Sequence, residues 1–248
     1  MATIAIIGGT GLTRLEDFKL DRRQVMNTPW GKPSSPLLFC NLDETQVIFL
    51  PRHGAEHRLA PHKINYRANI WALRDAGVKS IIAVAAVGGI HPQATPASLI
   101  IPDQLIDYTW GRPSTFFEDA NAPVAHIDFS WPYSEKLRAQ LISAASHCSV
   151  SVIANGVYGC TQGPRLETAA EIIRMERDGC TLVGMTGMPE AALARELEMD
   201  YACCAVVANA AAGKTDRQIS MTEIEKHLNN GMKNVARLLQ AVASELNP

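Results

Sequence analysis

The sequence has no uninterrupted apolar run of about 18 residues, the length that a membrane-spanning helix needs. Its first residues carry no basic segment ahead of an apolar stretch, so we expect no export signal. The chain also has no large excess of charge of either sign, because its formal net charge is only -2. This near balance excludes a broad basic face for nucleic acid. We therefore expect a cytoplasmic protein with no membrane or nucleic-acid partner.

Spacings typical of metal sites are equally absent. The six cysteines never occur as C-x-x-C, and no Cys/His pair has the spacing of a zinc site. In a chain without a leader, these cysteines are expected to be reduced thiols that mostly fill the core. No metal is predicted.

No repeat, low-complexity tract or linker interrupts the 248 residues, so we predict a single domain over residues 1–248. Short runs rich in Ile, Val and Ala alternate with segments of helical periodicity, which predicts a mixed α/β sheet flanked by helices. The predicted strands are Thr3–Ile7, Leu37–Cys40, Gln46–Leu50, Ser80–Val87, Ala97–Ile101, Ser151–Ala154, Gly156–Thr161, Thr181–Met185 and Tyr201–Val207. The predicted helices are Tyr66–Ala76, Ser134–Ser146, Glu167–Arg177, Pro189–Glu196 and Met221–Leu246.

A glycine-rich turn follows the first predicted strand, as Gly8-Gly9-Thr10-Gly11. Such a turn exposes backbone N–H groups that can hold an anion, and the Thr10 hydroxyl would add a donor. A dinucleotide fingerprint is the alternative, but Arg14 stands where its third glycine should be. A purely structural turn remains a further alternative.

Arg52-His53-Gly54 follows another predicted strand. The guanidinium of Arg52 is a planar fork suited to phosphate, and His53 would add a donor. On this interpretation, Arg52→Ala weakens phosphate use and leaves the fold intact. The alternative is a surface turn whose arginine meets a nearby carboxylate.

Three further strand ends carry polar residues. Met185-Thr186 precedes a helix start and offers backbone N–H groups and a hydroxyl to an anion, or simply caps that helix. Glu167 is either a ligand or an acidic residue favoured in a first helical turn. Asn209 is either a ligand or an ordinary turn residue. In α/β folds, ligands bind outside such strand ends.

Taken in order along the chain, these segments resemble the methylthioadenosine phosphorylase branch of the trimeric purine nucleoside phosphorylases. The stretches that carry the resemblance span nearly the whole sequence. They are Ile6–Leu12, Thr28–Ser34, Arg52–Gly54, Asn65–Leu73, Gly163–Arg165 and Met185–Glu190.

The resemblance implies an enzyme that cleaves a nucleoside with inorganic phosphate as co-substrate and needs no cofactor. It assigns phosphate binding to Thr10, Arg52, His53, Ala85, Ala86 and Thr186. It assigns contacts with the nucleoside to Leu166, Met185, Asn209, Ala210, Ala211 and His126. The family histidine matched by His126 reaches the site of a neighbouring subunit, which implies a homotrimer with shared active sites.

Two departures from the branch concern the base. Its members carry Thr-Asp-x-Asp where this chain has Ala208-Asn209-Ala210-Ala211, and a serine where it has Glu167. Related phosphorylases of inosine and guanosine carry Asn and Glu at these places. An amide can donate to O6 or N7 of a 6-oxopurine, and a carboxylate can accept from N1–H. Adenine offers the opposite groups, a 6-amino donor and an unprotonated N1, so we expect 6-oxopurine specificity, with Asn209 acting in catalysis by stabilising the leaving purine.

The residues expected near the 5' position of the sugar resemble the methylthio branch instead. Met221 and Ile224 match apolar positions of that branch, where enzymes of ordinary nucleosides have a histidine. A thioether methyl packs well on such a surface, although two apolar residues at helical spacing could equally face the core. Together the two ends predict cleavage of S-methyl-5'-thioinosine, with a methylthioadenosine phosphorylase of altered base pocket as the alternative. A nucleoside-binding protein without catalysis is the alternative outside this class.

Overall fold

The structure is a computed structural model that describes residues 4–9, 12, 18–42, 45–118, 124–216 and 219–246. Within these ranges the strands are β1 Ile4–Gly8, β2 Phe18–Gln24, β3 Leu37–Leu42, β4 Thr45–Pro51, β5 Ser80–Gly89, β6 Leu99–Ile100, β7 Gln104–Asp107, β8 Val152–Ile153, β9 Val157–Cys160, β10 Leu182–Gly184 and β11 Asp200–Ala210. The α-helices are α1 Tyr66–Asp75, α2 Glu135–His147, α3 Ala169–Arg177, α4 Gly187–Glu196 and α5 Met221–Leu246. A short 3-10 helix, Pro61–Lys63, precedes α1.

The predicted mixed α/β fold is confirmed, and every predicted strand and helix is found within a few residues of its expected bounds. The sequence analysis missed β2 and β7, which lie at the two ends of the main strand order. Their sequences, FKLDRRQ and QLID, mix charged with apolar residues. An edge strand needs a partner on one side only and often carries charge, so it lacks the apolar run of a buried strand.

Helices cover both faces of the sheet. Alternate residues of β1 point to opposite faces, so Ile7 packs in one cluster with α1 and α4 while Ile6 packs in the other with α2 and α5. A sheet buried on both faces has strands with long apolar runs, such as the whole of β1 and residues 201–208 of β11. None of the helices in these ranges is both long and apolar enough to cross a membrane.

The central strand β5 has three partners. Along one edge it pairs with β11 over its whole length, from Ser80 to Gly89. Along the other edge β1 pairs in parallel as far as Ala83, and β10 pairs antiparallel only from Gly88 onward. Among the described strands, none pairs with residues 84–87 on this second edge. The sheet therefore splits beside the middle of its central strand.

Candidate active site

A cavity of about 540 Å³ opens at this split. Its wall includes most of the residues singled out in the sequence, brought together from β5 and from five other segments. They are Arg52, His53, Ala85, Ala86, Leu166, Glu167, Met185, Thr186, Asn209, Ala211 and Ile224. A volume of this size accommodates a small ligand such as a nucleoside with an anion.

Three predicted residues lie outside this wall. Ala210 lines an adjacent cavity of about 270 Å³, because its side chain alternates with that of Asn209 along β11. Met221 was expected beside Ile224 but is 66% exposed. It is the first residue of α5, and helical side chains lean toward the N-terminus, so Met221 points beyond the cavity. His126 is exposed, and Thr10 lies outside the described residues.

Several residues that were not predicted from the sequence also line the cavity, among them His57, Leu59 and Ile219. The ring of His57 lies 4.4 Å from that of His53, centroid to centroid. Ile219 precedes α5, and with Ile224 it places apolar surface where the Met221 side chain was expected. Ile219 could have been found from its position, since it lies two residues before the predicted start of the last helix at Met221.

The unpaired edge of β5 forms one side of the cavity. In an extended strand the N–H and C=O of one residue point to the same edge, and successive residues alternate. The carbonyl of Val84 accepts from Arg52 Nη1 at 2.9 Å across this edge, which places the N–H of Ala86 on the same side. Ala86 is exposed although its neighbours in β5 are buried. A backbone donor is thus available to a ligand at this point.

Arg52 is buried in a bidentate ion pair with Glu190 of α4. Its Nε and Nη2 donate to the two carboxylate oxygens at 2.7 and 2.8 Å, and the two side chains are 2% and 0% exposed. The hydroxyl of Tyr201 donates to the same carboxylate at 2.9 Å. Burial opposes the charge of Arg52, but the adjacent carboxylate outweighs it and raises the pKa of Arg52.

This arrangement corrects the expected role of Arg52. The fork of the guanidinium faces Glu190, so the fork itself is not presented to phosphate as predicted. The alternative that the arginine meets a carboxylate holds, but in the interior rather than on the surface. Of the five N–H groups of the guanidinium, one on Nη1 remains after the bonds to Glu190, Val84 and Ile7. That single N–H can reach a ligand in the cavity.

His53 has a defined tautomer. Its Nδ1 lies 2.8 Å from the carbonyl oxygen of Leu59, which can only accept, so Nδ1 carries a proton. Burial, with the charge of Arg52 nearby, lowers the pKa of His53 to about 4. At neutral pH the ring is therefore uncharged, and its Nε2 has a lone pair. The donor that the sequence analysis expected from His53 is already engaged with Leu59.

Thr186 occupies the N-cap position of α4, but its hydroxyl does not cap the helix. The residue is 7% exposed and lines the cavity. Thr186 and Ala86 line the same cavity, so the Thr186 hydroxyl adds a donor to the Ala86 N–H. The predicted anion site thus combines backbone and hydroxyl donors with one N–H of a neutralised arginine.

Asn209 and Glu167 line the other part of the cavity. The register of β11 against β5 shifts between Val207 and Asn209, and such a bulge re-aims the side chains that follow it. Asn209 Nδ2 donates to the carbonyl of Ala210 at 2.7 Å, which leaves its second N–H and its Oδ1 for a ligand. Glu167 Oε1 accepts from the Thr161 hydroxyl at 2.7 Å, which orients the carboxylate.

The sheet is split beside its central strand, and the cavity at the split is lined by backbone and hydroxyl donors as well as by an amide and a carboxylate. Residues 3–244 match the Phosphorylase superfamily, and the chain belongs to that family. It is an enzyme of the pentosyl-transferring class. Among the described residues, no group of three His, Cys, Asp or Glu side chains is placed to hold a metal ion.

Individual relatives are similar over almost their whole length. A protein of Pseudomonas syringae pv. tomato named as a probable S-methyl-5'-thioinosine phosphorylase is 56% identical over 98% of this chain and 99% of its own. The 6-oxopurine nucleoside phosphorylase of Pyrococcus furiosus is 42% identical over 97% of this chain and 92% of its own. The methylthioadenosine phosphorylase of Schistosoma mansoni, solved with adenine, superimposes with a TM-score of 0.94 at 30% identity, covering 99% and 92% of the two chains.

The ion pair predicts that Arg52→Met costs about 3–5 kcal/mol of unfolding free energy, because it leaves Glu190 charged and buried without a partner. The double variant Arg52→Met with Glu190→Met should recover most of that loss, since no unpaired charge remains. Urea unfolding measures both. A single variant as stable as the parent would show that the two side chains are not paired.

The environment of His53 predicts that its imidazole stays neutral, with the proton on Nδ1, from pH 8 down to about pH 5.5. The pKa of about 4 in the folded protein lies below the usual histidine value. The contribution of neutral His53 to the free energy of unfolding is therefore complete above pH 6.5 and is lost as the pH falls toward 4. Long-range ¹H–¹⁵N spectra report the tautomer, and His53→Asn identifies the signals. A midpoint at or above pH 6.5 would contradict the assignment.

Proposed function

We propose that the enzyme cleaves S-methyl-5'-thioinosine with inorganic phosphate as co-substrate, releasing hypoxanthine and 5-methylthioribose 1-phosphate, and uses no cofactor. The observation that carries the proposal is the placement of Asn209 and Glu167 in one cavity with the anion site. The names of the relatives from Pseudomonas and Pyrococcus support a 6-oxopurine nucleoside as substrate and, for the first, one with a methylthio sugar.

Hydrogen-bond complementarity supports the base assignment. The free N–H of Asn209 donates to O6, its Oδ1 accepts from N7 once the leaving purine is protonated there, and the carboxylate of Glu167 accepts from N1–H. With adenine, a 6-amino group would meet the Asn209 donor and an unprotonated N1 would meet the Glu167 carboxylate. Each buried bond left unmade costs about 1–3 kcal/mol.

The sugar end of the cavity is apolar where α5 approaches it. Ile219 and Ile224 line this part, and Leu166 also belongs to the cavity wall. A methylthio group loses little on leaving water for such a surface, whereas a 5'-hydroxyl needs a partner. This contact between apolar residues favours the methylthio sugar, with the isoleucines taking the role that the sequence analysis had given partly to Met221.

The reaction needs no covalent enzyme intermediate. A phosphate oxygen forms the new bond at the anomeric carbon, the glycosidic electron pair leaves with the purine, and the phosphate proton ends on the purine. The sugar carries positive charge in the transition state, which the bound anion stabilises from one face. Asn209 stabilises the negative charge on the purine, and the Ala86 N–H with Thr186 holds phosphate in line.

The setting of the reaction is part of the same proposal. Because a free purine can be reused, we propose a role in purine salvage, and we propose that the enzyme acts in the cytoplasm. A homotrimer would bring the exposed His126 of one subunit to the cavity of another. Light scattering of the active enzyme should give a mass of three chains, and a fully active monomer would exclude a shared site.

Base specificity is tested by the ratio of kcat/KM for methylthioinosine to that for methylthioadenosine. We expect the parent ratio to exceed 1, and Asn209→Asp to lower it by on the order of 10- to 100-fold. A carboxylate would repel the charge on a 6-oxopurine leaving group, but it accepts from a 6-amino group.

The controls separate the possible failures. Reactions without phosphate should show no cleavage, and Ala210→Ser, whose side chain lies outside the cavity, should leave the ratio unchanged. A parent that prefers methylthioadenosine would make the enzyme a methylthioadenosine phosphorylase with a variant base pocket. An Asn209→Asp ratio equal to that of the parent would remove Asn209 from base recognition.

A further inference from the structure

Arg112 lies behind the cavity wall, between β7 and α2, and is only 9% exposed. Its Nη2 donates to the carbonyls of Thr161 and Gln162 at 3.1 and 2.9 Å. Its Nη1 donates to the carbonyl of Met185 at 3.0 Å and to that of Met188. Its Nε donates to the Gln162 side chain at 3.2 Å. One guanidinium thus joins two segments that are 20 or more positions apart in sequence.

These two segments carry opposite parts of the site. The first, residues 161–167, ends in Glu167, whose carboxylate faces the purine. The second, residues 184–188, contains Met185 and Thr186 beside the ribose and phosphate. Both segments line the cavity, but Arg112 itself does not. The distance between the purine-binding and phosphate-binding groups therefore depends on how firmly these segments are joined.

The two segments also touch directly at Gly163. This glycine has φ +61°, and a Cβ there would lie 2.5 Å from the Met185 sulfur. The contact leaves no room for a side chain, so the segments approach as closely as their backbones allow. Arg112 holds them in this close approach from the side away from the ligand.

The chemistry requires an arginine in particular. Each acceptor named above is an uncharged oxygen, and hydrogen bonds from a charged donor to such groups are stronger than those between neutral groups. The planar guanidinium presents five N–H groups in fixed directions, enough to reach both segments at once. A lysine has the same charge but three donors on one nitrogen, so it cannot span them.

We propose that Arg112 is a positioning residue of the reaction, one that fixes the Glu167 segment against the Met185–Thr186 turn so that purine and phosphate are held in line. The inference rests on the proposed function of the cavity. A displacement of reacting groups by about 1 Å can lower a rate by on the order of 100-fold. Loosening this clamp should therefore weaken both substrates together.

Arg138 provides a matched control. It is 5% exposed and donates to the carbonyls of Pro102 and Ala154 at 2.9 and 2.6 Å, so it also joins loops through backbone oxygens. None of the residues it joins lines the cavity. A lysine at either position keeps the charge and removes a clamp of the same kind.

The experiment compares Arg112→Lys with Arg138→Lys. Thermal unfolding should show a similar loss of stability in both. Only Arg112→Lys should raise the KM for both nucleoside and phosphate, lowering kcat/KM by on the order of 10- to 100-fold, and reduce the preference among purines. Arg138→Lys should stay within about twofold of the parent. Titration calorimetry with hypoxanthine and with phosphate gives the same comparison without turnover.

The outcomes are distinguishable. If Arg112→Lys loses stability as Arg138→Lys does but keeps the parent KM values and ligand affinities, Arg112 is only structural and the inference is overturned. If Arg112→Lys does not fold, Gln162→Met removes the side-chain acceptor of Nε, which also accepts from the Trp110 N–H, and should raise both KM values by a smaller factor; unchanged values would overturn the inference. A parent that cleaves no nucleoside contradicts the proposed function, and the calorimetric arm then decides on Arg112 by itself.

Discussion

The polar edge of β5 between Val84 and Val87 is the constraint on which the site depends. Backbone N–H and C=O groups in the interior must find partners, and here the neighbouring strand has turned away before the next one begins. Arg52 provides a donor for the Val84 carbonyl. Ala86 is left to present its N–H to the cavity. The position of the anion site thus follows from sheet topology before any side chain is considered.

The buried Arg52–Glu190 pair determines the electrostatics at this edge. Because the carboxylate neutralises the guanidinium and His53 is uncharged at neutral pH, the site attracts an anion mainly through oriented dipoles and one remaining guanidinium N–H. Dipoles held in place by a rigid scaffold need no rearrangement as charge develops in the transition state.

Much of this was predictable from the sequence, for identifiable reasons. The buried strand β1 is apolar throughout, and β11 is apolar from Tyr201 to Ala208, so their position and the polar residues beside these runs can be found from local pattern alone. The partner of Arg52 could not be found in this way, because Glu190 is 138 positions away and its placement depends on packing of α4 against the sheet. The tautomer of His53 was not predictable either, because it depends on the Leu59 carbonyl, which the loop after β4 places beside the ring. The predicted place of Met221 in the cavity wall was wrong for a geometric reason, since helical spacing does not show which way the side chains of the first turn point.

The most direct test of this account is a crystal structure of the enzyme with phosphate and hypoxanthine bound. The account predicts phosphate at the open edge of β5, within hydrogen-bond distance of the Ala86 N–H and the Thr186 hydroxyl, while Arg52 remains paired with Glu190. Asn209 and Glu167 should both contact the purine. A phosphate bound away from the β5 edge, or an Arg52 that has left Glu190 to grip the anion with its fork, would contradict it.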